Sequence, residues 1–100
     1  MFEDEIVEKL RRLEVTDCHQ ERNSLALELS DTKDPRLFDS LVRLIQRPEL
    51  LNNRGTLLYC LENYDCSSIV DLLVHLVETG NFEVSAAAEI ILDEQRLRQP

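Results

Sequence analysis

The amino-acid sequence predicts an all-α fold: a right-handed αα-hairpin solenoid of about three repeats, with six antiparallel helices. Three observations lead there. Apolar positions recur at a fixed offset, because Leu37, Leu41, Leu44 and Ile45 return 32 residues later as Ile69, Leu73, Leu76 and Val77. Only 2 Gly and 3 Pro fall in 100 residues, which favours long helices over a turn-dense β architecture. The segments between apolar stripes are short, so successive helices must be antiparallel neighbours. A chain of this length holds one hydrophobic core and one domain, residues 1–100, with hairpins at approximately 1–31, 34–64 and 66–97. A compact six-helix bundle of another topology shares most of these signals and is the structural alternative.

Each hairpin has a first and a second helix. The first helices carry stripes spaced i, i+4, i+7, i+8, the signature of one buried helix face. Shifting the Leu37 stripe back by 31 residues finds Ile6, Leu10 and Leu13, so first helices are expected near 2–14, 35–47 and 67–79. The second series pairs Leu25, Ala26 and Leu29 with Leu57, Leu58 and Leu61, and then with Val84, Ala87, Ala88 and Ile91. Second helices are expected near 17–30, 53–64 and 82–96. Boundary residues agree: Asp34 before Pro35 reads as an N-cap with proline in the first turn, and Pro48 ends a helix. Asn52 or Asn53, and Asp65 or Ser67, read as later caps. Gly80 with Asn81 reads as a C-terminal glycine followed by a new cap.

The net charge is −9, and no Lys or Arg falls between Arg54 and Arg96. Phosphate binding needs a basic footprint, so the charge argues against nucleic acid and against an anionic membrane surface. With 43% hydrophobic residues the chain is not expected to be disordered. Met1-Phe2-Glu3-Asp4-Glu5 lacks the basic-then-apolar start of a signal peptide, and no apolar run approaches bilayer-spanning length. Three cysteines without a secretion signal suit free, buried or partly buried thiols in a reducing compartment, and the cytoplasm is the expected location.

The stretch from Asn81 to Ile91, Asn-Phe-Glu-Val-Ser-Ala-Ala-Ala-Glu-Ile-Ile, resembles the second helix of a HEAT repeat. Phe82 stands where that family often has Pro, and Ser85 where Arg is common. The middle copy, Asn52 to Leu61, keeps Arg54 but has larger residues in place of Ala, and Arg22 to Leu29 is the weakest match. The run Leu51 to Ser67, with Asn-Asn-Arg-Gly and Tyr-Asp-Cys-Ser elements, is similar to short bacterial HEAT-like proteins, some of them thought to be immunity proteins. That resemblance implies a toxin domain as partner, often a basic nuclease whose nucleic-acid site an acidic protein covers. Scaffold alone does not fix function.

A helical-wheel reading of the middle second helix turns Leu57, Leu58, Leu61 and Tyr64 inward, leaving Gly55, Thr56, Tyr59, Glu62 and Asn63 outward. The repeat offset carries Tyr59 to Leu27 before it and Ile90 after it. Three apolar residues therefore stack on a face that the repeat would leave wet, with Asp31, Asn63 and Glu94, then Ser30, Glu62 and Asp93, running alongside, and Glu89 next to Ile90. An apolar centre with a polar rim and a central Tyr is the composition of an interaction patch. The bland alternative is a set of ordinary surface hydrophobes. The expected function is protein binding, sharpest as immunity by occlusion of a toxin. A generic HEAT-like scaffold or adaptor that self-associates, as a homodimer through residues 1–14 or 82–96, or joins a larger complex is the alternative.

No catalysis, metal or cofactor is expected. His19 and His75 belong to no nucleophile, zinc or phosphate motif. Cys18, Cys60 and Cys66 form no C-x-x-C pair, and 20 acids in 100 residues make adjacent carboxylates commonplace.

Overall fold

A computed structural model describes residues 2–98, with side chains from residue 5 to residue 97. Six α-helices follow one another: α1 (Phe2–Val15), α2 (His19–Thr32), α3 (Arg36–Ile45), α4 (Gly55–Leu61), α5 (Val70–Thr79) and α6 (Phe82–Arg98). Short 3-10 turns at Pro48–Leu50 and Ser67–Ile69 precede α4 and α5. No strand occurs among the described residues.

Sequence neighbours pair as α1 with α2, α3 with α4 and α5 with α6. The pairs meet chiefly through their second members, α2 against α4 and α4 against α6. On the other side α1 touches α3, whereas α3 and α5 scarcely meet. The chain spans 40 × 32 × 16 Å, and a thickness of 16 Å suits two helix layers whose axes lie about 10 Å apart.

The core lies between these layers. Leu13, Leu37, Leu41, Leu44, Ile45, Leu73 and Leu76 come from the first helices. Ala26, Leu29, Leu57, Leu58, Leu61, Val84, Ala88 and Ile91 come from the second helices. The recurrent stripes are thus the buried stripes, with Ile6, Leu10, Leu25, Ile69, Val77 and Ala87 half-buried at their margins. Tyr64 packs on Phe38 with ring centroids 6.0 Å apart and donates its hydroxyl to the Asp34 carbonyl at 2.8 Å.

Several boundaries differ from the sequence expectation, each for a local reason. The helix expected to reach residue 47 stops at Ile45, because Arg47 precedes Pro48 and is driven to extended backbone (φ −76°, ψ 125°). Pro48 opens a 3-10 turn that buries Leu50, and α4 then starts at Gly55 behind Arg54, so neither Asn52 nor Asn53 caps it. Its other end comes early, at Leu61, where the Asn63 amide donates to the Cys60 carbonyl in competition with a further turn. Asp65 accepts the Ser67 N–H at 3.0 Å, but this opens the 3-10 turn and delays α5 to Val70.

Asn81 caps α6 as expected, its Oδ1 accepting the Val84 N–H at 2.9 Å; Asp34 accepts the Arg36 N–H at 2.9 Å, but Pro35 stands at the N-cap and Arg36 is the first residue of α3, one place later than expected. Gly80 serves a different purpose from the one its type suggests. Its φ is −74°, and a Cβ there would lie 2.5 Å from Val84 Cγ1 and 2.7 Å from the Leu76 carbonyl. Close approach of α5 and α6 requires the glycine. The left-handed helix end belongs instead to Lys33, φ 56°.

Candidate protein-binding face

Leu27, Tyr59 and Ile90 lie on α2, α4 and α6, the three helices that pack in that order. All three are exposed, at 42%, 59% and 50%, although neighbours on the same helices are completely buried. The repeat therefore places a wet apolar side chain at the equivalent position of each second helix, while α6 also exposes Phe82 and Leu97. The rim residues follow one helical turn later at i+3 and i+4, so they share the face of the residue they flank.

Packing brings several rim residues together across the helix seams. The Asn63 amide donates to Ser30 Oγ at 2.8 Å, bridging α4 to α2. Glu62 is half-buried at the C-cap of α4, and its carboxyl is pushed above its ordinary range, first by burial and then by the negative charge of Glu94 on α6. Asp31 is near enough to Cys60 to help raise its thiol, which burial chiefly drives up to about 11. Asp93 pairs with Arg96 at 3.3 Å on the exposed side of α6, and Glu89 is exposed. Asn63 is thus committed within the chain, Asp93 has a local cation, and Glu62 with Glu94 forms a like-charged pair.

The cations of the first half serve links between helices: Lys9 to Glu28 at 2.7 Å and Arg12 to Glu21 at 2.7 Å join α1 to α2. Arg43 reaches Glu14 at 2.9 Å and joins α3 to α1. Glu14 also accepts from Ser40 and lies 3.7 Å from Arg47, and these donors, Arg43 foremost, lower its carboxyl. Such exposed pairs each contribute little to stability.

Buried polar groups form a set whose role the sequence did not reveal, and Ser30, expected on the polar rim of the exposed face, is buried at 5% exposure where it accepts from Asn63. Arg22, Ser30, Ser40, Arg54 and Gln95 are all buried. Arg22 Nη2 donates to the Thr16 carbonyl at 2.6 Å beyond the end of α1, and Arg54 Nη1 to the Ile45 carbonyl at 3.1 Å at the end of α3. Ser85 Oγ donates to the Val77 carbonyl at 2.8 Å near the end of α5. At the start of each second helix one polar side chain thus reaches a carbonyl at, or just beyond, the C-terminal end of its partner helix. The recurrence of Arg22 and Arg54 at a 32-residue spacing was the available signal, hidden because an arginine reads as surface until its partners are known.

Of the three cysteines, Cys60 and Cys66 are buried and Cys18 is exposed, which corrects the expectation of burial for Cys18. Among the described residues no group of three or more His, Cys, Asp or Glu could hold a metal, and no helix is long and apolar enough to cross a membrane. No protein-family model matches the chain, and neither does any curated protein or solved structure.

Proposed function

We propose that this chain is an acidic protein-binding module, a three-hairpin right-handed solenoid of HEAT-like type whose second-helix face docks a basic protein surface. The observation that carries the reading is the exposure of Leu27, Tyr59 and Ile90 on three successively packed helices. Beside them lies the like-charged pair of Glu62 and Glu94. A surface held at like charge by its own fold gains from a partner's Lys or Arg, and Tyr59 supplies the desolvated centre.

The sharpest form of the reading is immunity: the acidic face covers the basic working surface of a toxin domain and inhibits it by occlusion. The resemblance of Leu51 to Ser67 to HEAT-like immunity proteins supports that form. The test is titration calorimetry against a basic toxin domain, to be sought in the neighbouring reading frame, at low and high salt. Binding should weaken as salt rises. Tyr59→Ala should cost about 2 kcal/mol or more, the range of an interface anchor. Glu8→Ala, on exposed α1, should leave affinity unchanged, and equal effects of the two variants would place the interface elsewhere.

Self-association is the second reading, favoured by the 91% exposure of Phe82 at the start of α6. Sedimentation at increasing concentration separates the two: a mass that stays at one chain rejects it.

A further inference from the structure

Two cavities lie in the first-helix layer, and a buried arginine lines each. The cavity at the α1–α2 turn, about 270 Å³, is lined by Arg22 and Arg47 but also by Glu14, Asp17 and Glu49, so it offers an anion no net attraction. The cavity between α3 and α5, about 220 Å³, differs. Its lining is Ile45, Gln46, Arg54, Leu72, His75 and Leu76, with no carboxylate. It exists because α3 and α5 scarcely meet, so their facing apolar residues line a groove between them.

Arg54 is 7% exposed, and no carboxylate lies within ion-pair distance of it. Nε donates to the Leu51 carbonyl at 3.2 Å and Nη1 to the Ile45 carbonyl, and Arg54 makes no further hydrogen bond among the described residues. The carbonyls ending α3 are already satisfied. Gln46 Nε2 donates to Val42, and the Gln46 and Arg47 backbone N–H groups to Arg43 and Leu44. The negative helix end that would repel an anion is thus largely neutralised. His75 adds an exposed imidazole with no side-chain bond of its own. In a chain of net charge −9, the one Lys or Arg between residues 54 and 95 faces a cavity free of acids.

We propose that this groove binds a small monocarboxylate bearing a short hydrocarbon tail. A carboxylate accepts from a guanidinium edge and needs few further donors, whereas a phosphate dianion needs more than Arg54 and His75 supply. The tail lies against Ile45, Leu72 and Leu76. The volume is below that of pockets for drug-sized ligands, so a ligand of a few heavy atoms fits, with affinity in the millimolar range. This site is separate from the Leu27, Tyr59 and Ile90 face, and the two proposals fail independently.

The experiment is ¹H–¹⁵N NMR of the full chain titrated with sodium butyrate, with 1-butanol and inorganic phosphate as controls. Butyrate should give saturating shifts at the amides of Gln46, His75 and Leu76, and neither control should. Arg54→Met should abolish saturation. Because that variant also loses two structural hydrogen bonds, His75→Glu, on the exposed side of α5, provides the second arm. It adds a carboxylate to the lining and should weaken butyrate by about tenfold with helicity retained. Linear, non-saturating shifts with butyrate overturn the proposal. So does phosphate saturating as well as butyrate, or unchanged affinity in His75→Glu or in a folded Arg54→Met.

Discussion

Arg54 Nη1 donates to the Ile45 carbonyl at 3.1 Å, so a buried cation closes the C-terminal end of the helix before it. Burial alone drives the Arg54 guanidinium below its ordinary range, because no acid offsets the loss of water. The backbone carbonyls of Ile45 and Leu51 hold it instead.

Arg54→Met is therefore expected to destabilise the fold by about 1–3 kcal/mol, the cost of leaving a buried carbonyl without a donor. Arg54→Lys should recover only part of that, since one ammonium cannot match a rigid fork reaching two carbonyls. Chemical denaturation of both variants measures the difference, and a loss no larger than that of an exposed-site control would remove the capping role.

Glu62→Gln should raise stability and lower partner affinity together. The Glu62 carboxyl is held above its ordinary range by burial and Glu94. Its favourable contribution is complete below the unfolded pKa, near 4.5, and is lost as pH rises through the folded value. At neutral pH it is ionised and unfavourable, so the amide should gain a few tenths to about 1 kcal/mol. Thermal melts near neutral pH check the gain, and a destabilised Glu62→Gln would show that the charge is needed within the fold.

Glu14 works in the opposite sense. Its carboxyl is lowered chiefly by Arg43, and its stabilising contribution is present above the ordinary carboxylate range and lost as pH falls through the depressed folded value. Asp34, lowered to about 2 by the Arg36 side chain and backbone, follows the same rule between about 4 and 2. Glu14→Gln should flatten the fall in melting temperature on acidification below pH 5 relative to the parent chain. A slope identical in both would exclude Glu14 as an acid-sensitive link between α1 and α3.

Thiol reactivity should separate the three cysteines. Cys18 is exposed, whereas burial raises Cys60 to about 11 and Cys66 is buried with its thiol donating to the Leu61 carbonyl at 3.3 Å. A mild disulfide reagent at neutral pH should label one thiol at once, and all three in denaturant. Rapid labelling of more than one in the folded chain would mean that α4 or the turn after it opens readily.

The acidic composition, the absence of catalytic motifs and the identity of almost every core residue were legible in the sequence, because burial follows helical periodicity and periodicity is written in residue order. The recurrence of Leu27, Tyr59 and Ile90 was legible for the same reason. The shortened α4 was not, since its limits come from the burial of Leu50 and the turn of the Asn63 amide. Nor was the role of Arg22 and Arg54 in reaching carbonyls of the preceding segment, or the bond that places Gln95 Oε1 2.9 Å from the Cys66 N–H. Periodicity says which face of a helix is buried. Which polar group meets which orphaned carbonyl, and whether two helices such as α3 and α5 close upon each other or leave a groove, depends on the relative placement of helices in three dimensions, and only the tertiary structure decided it.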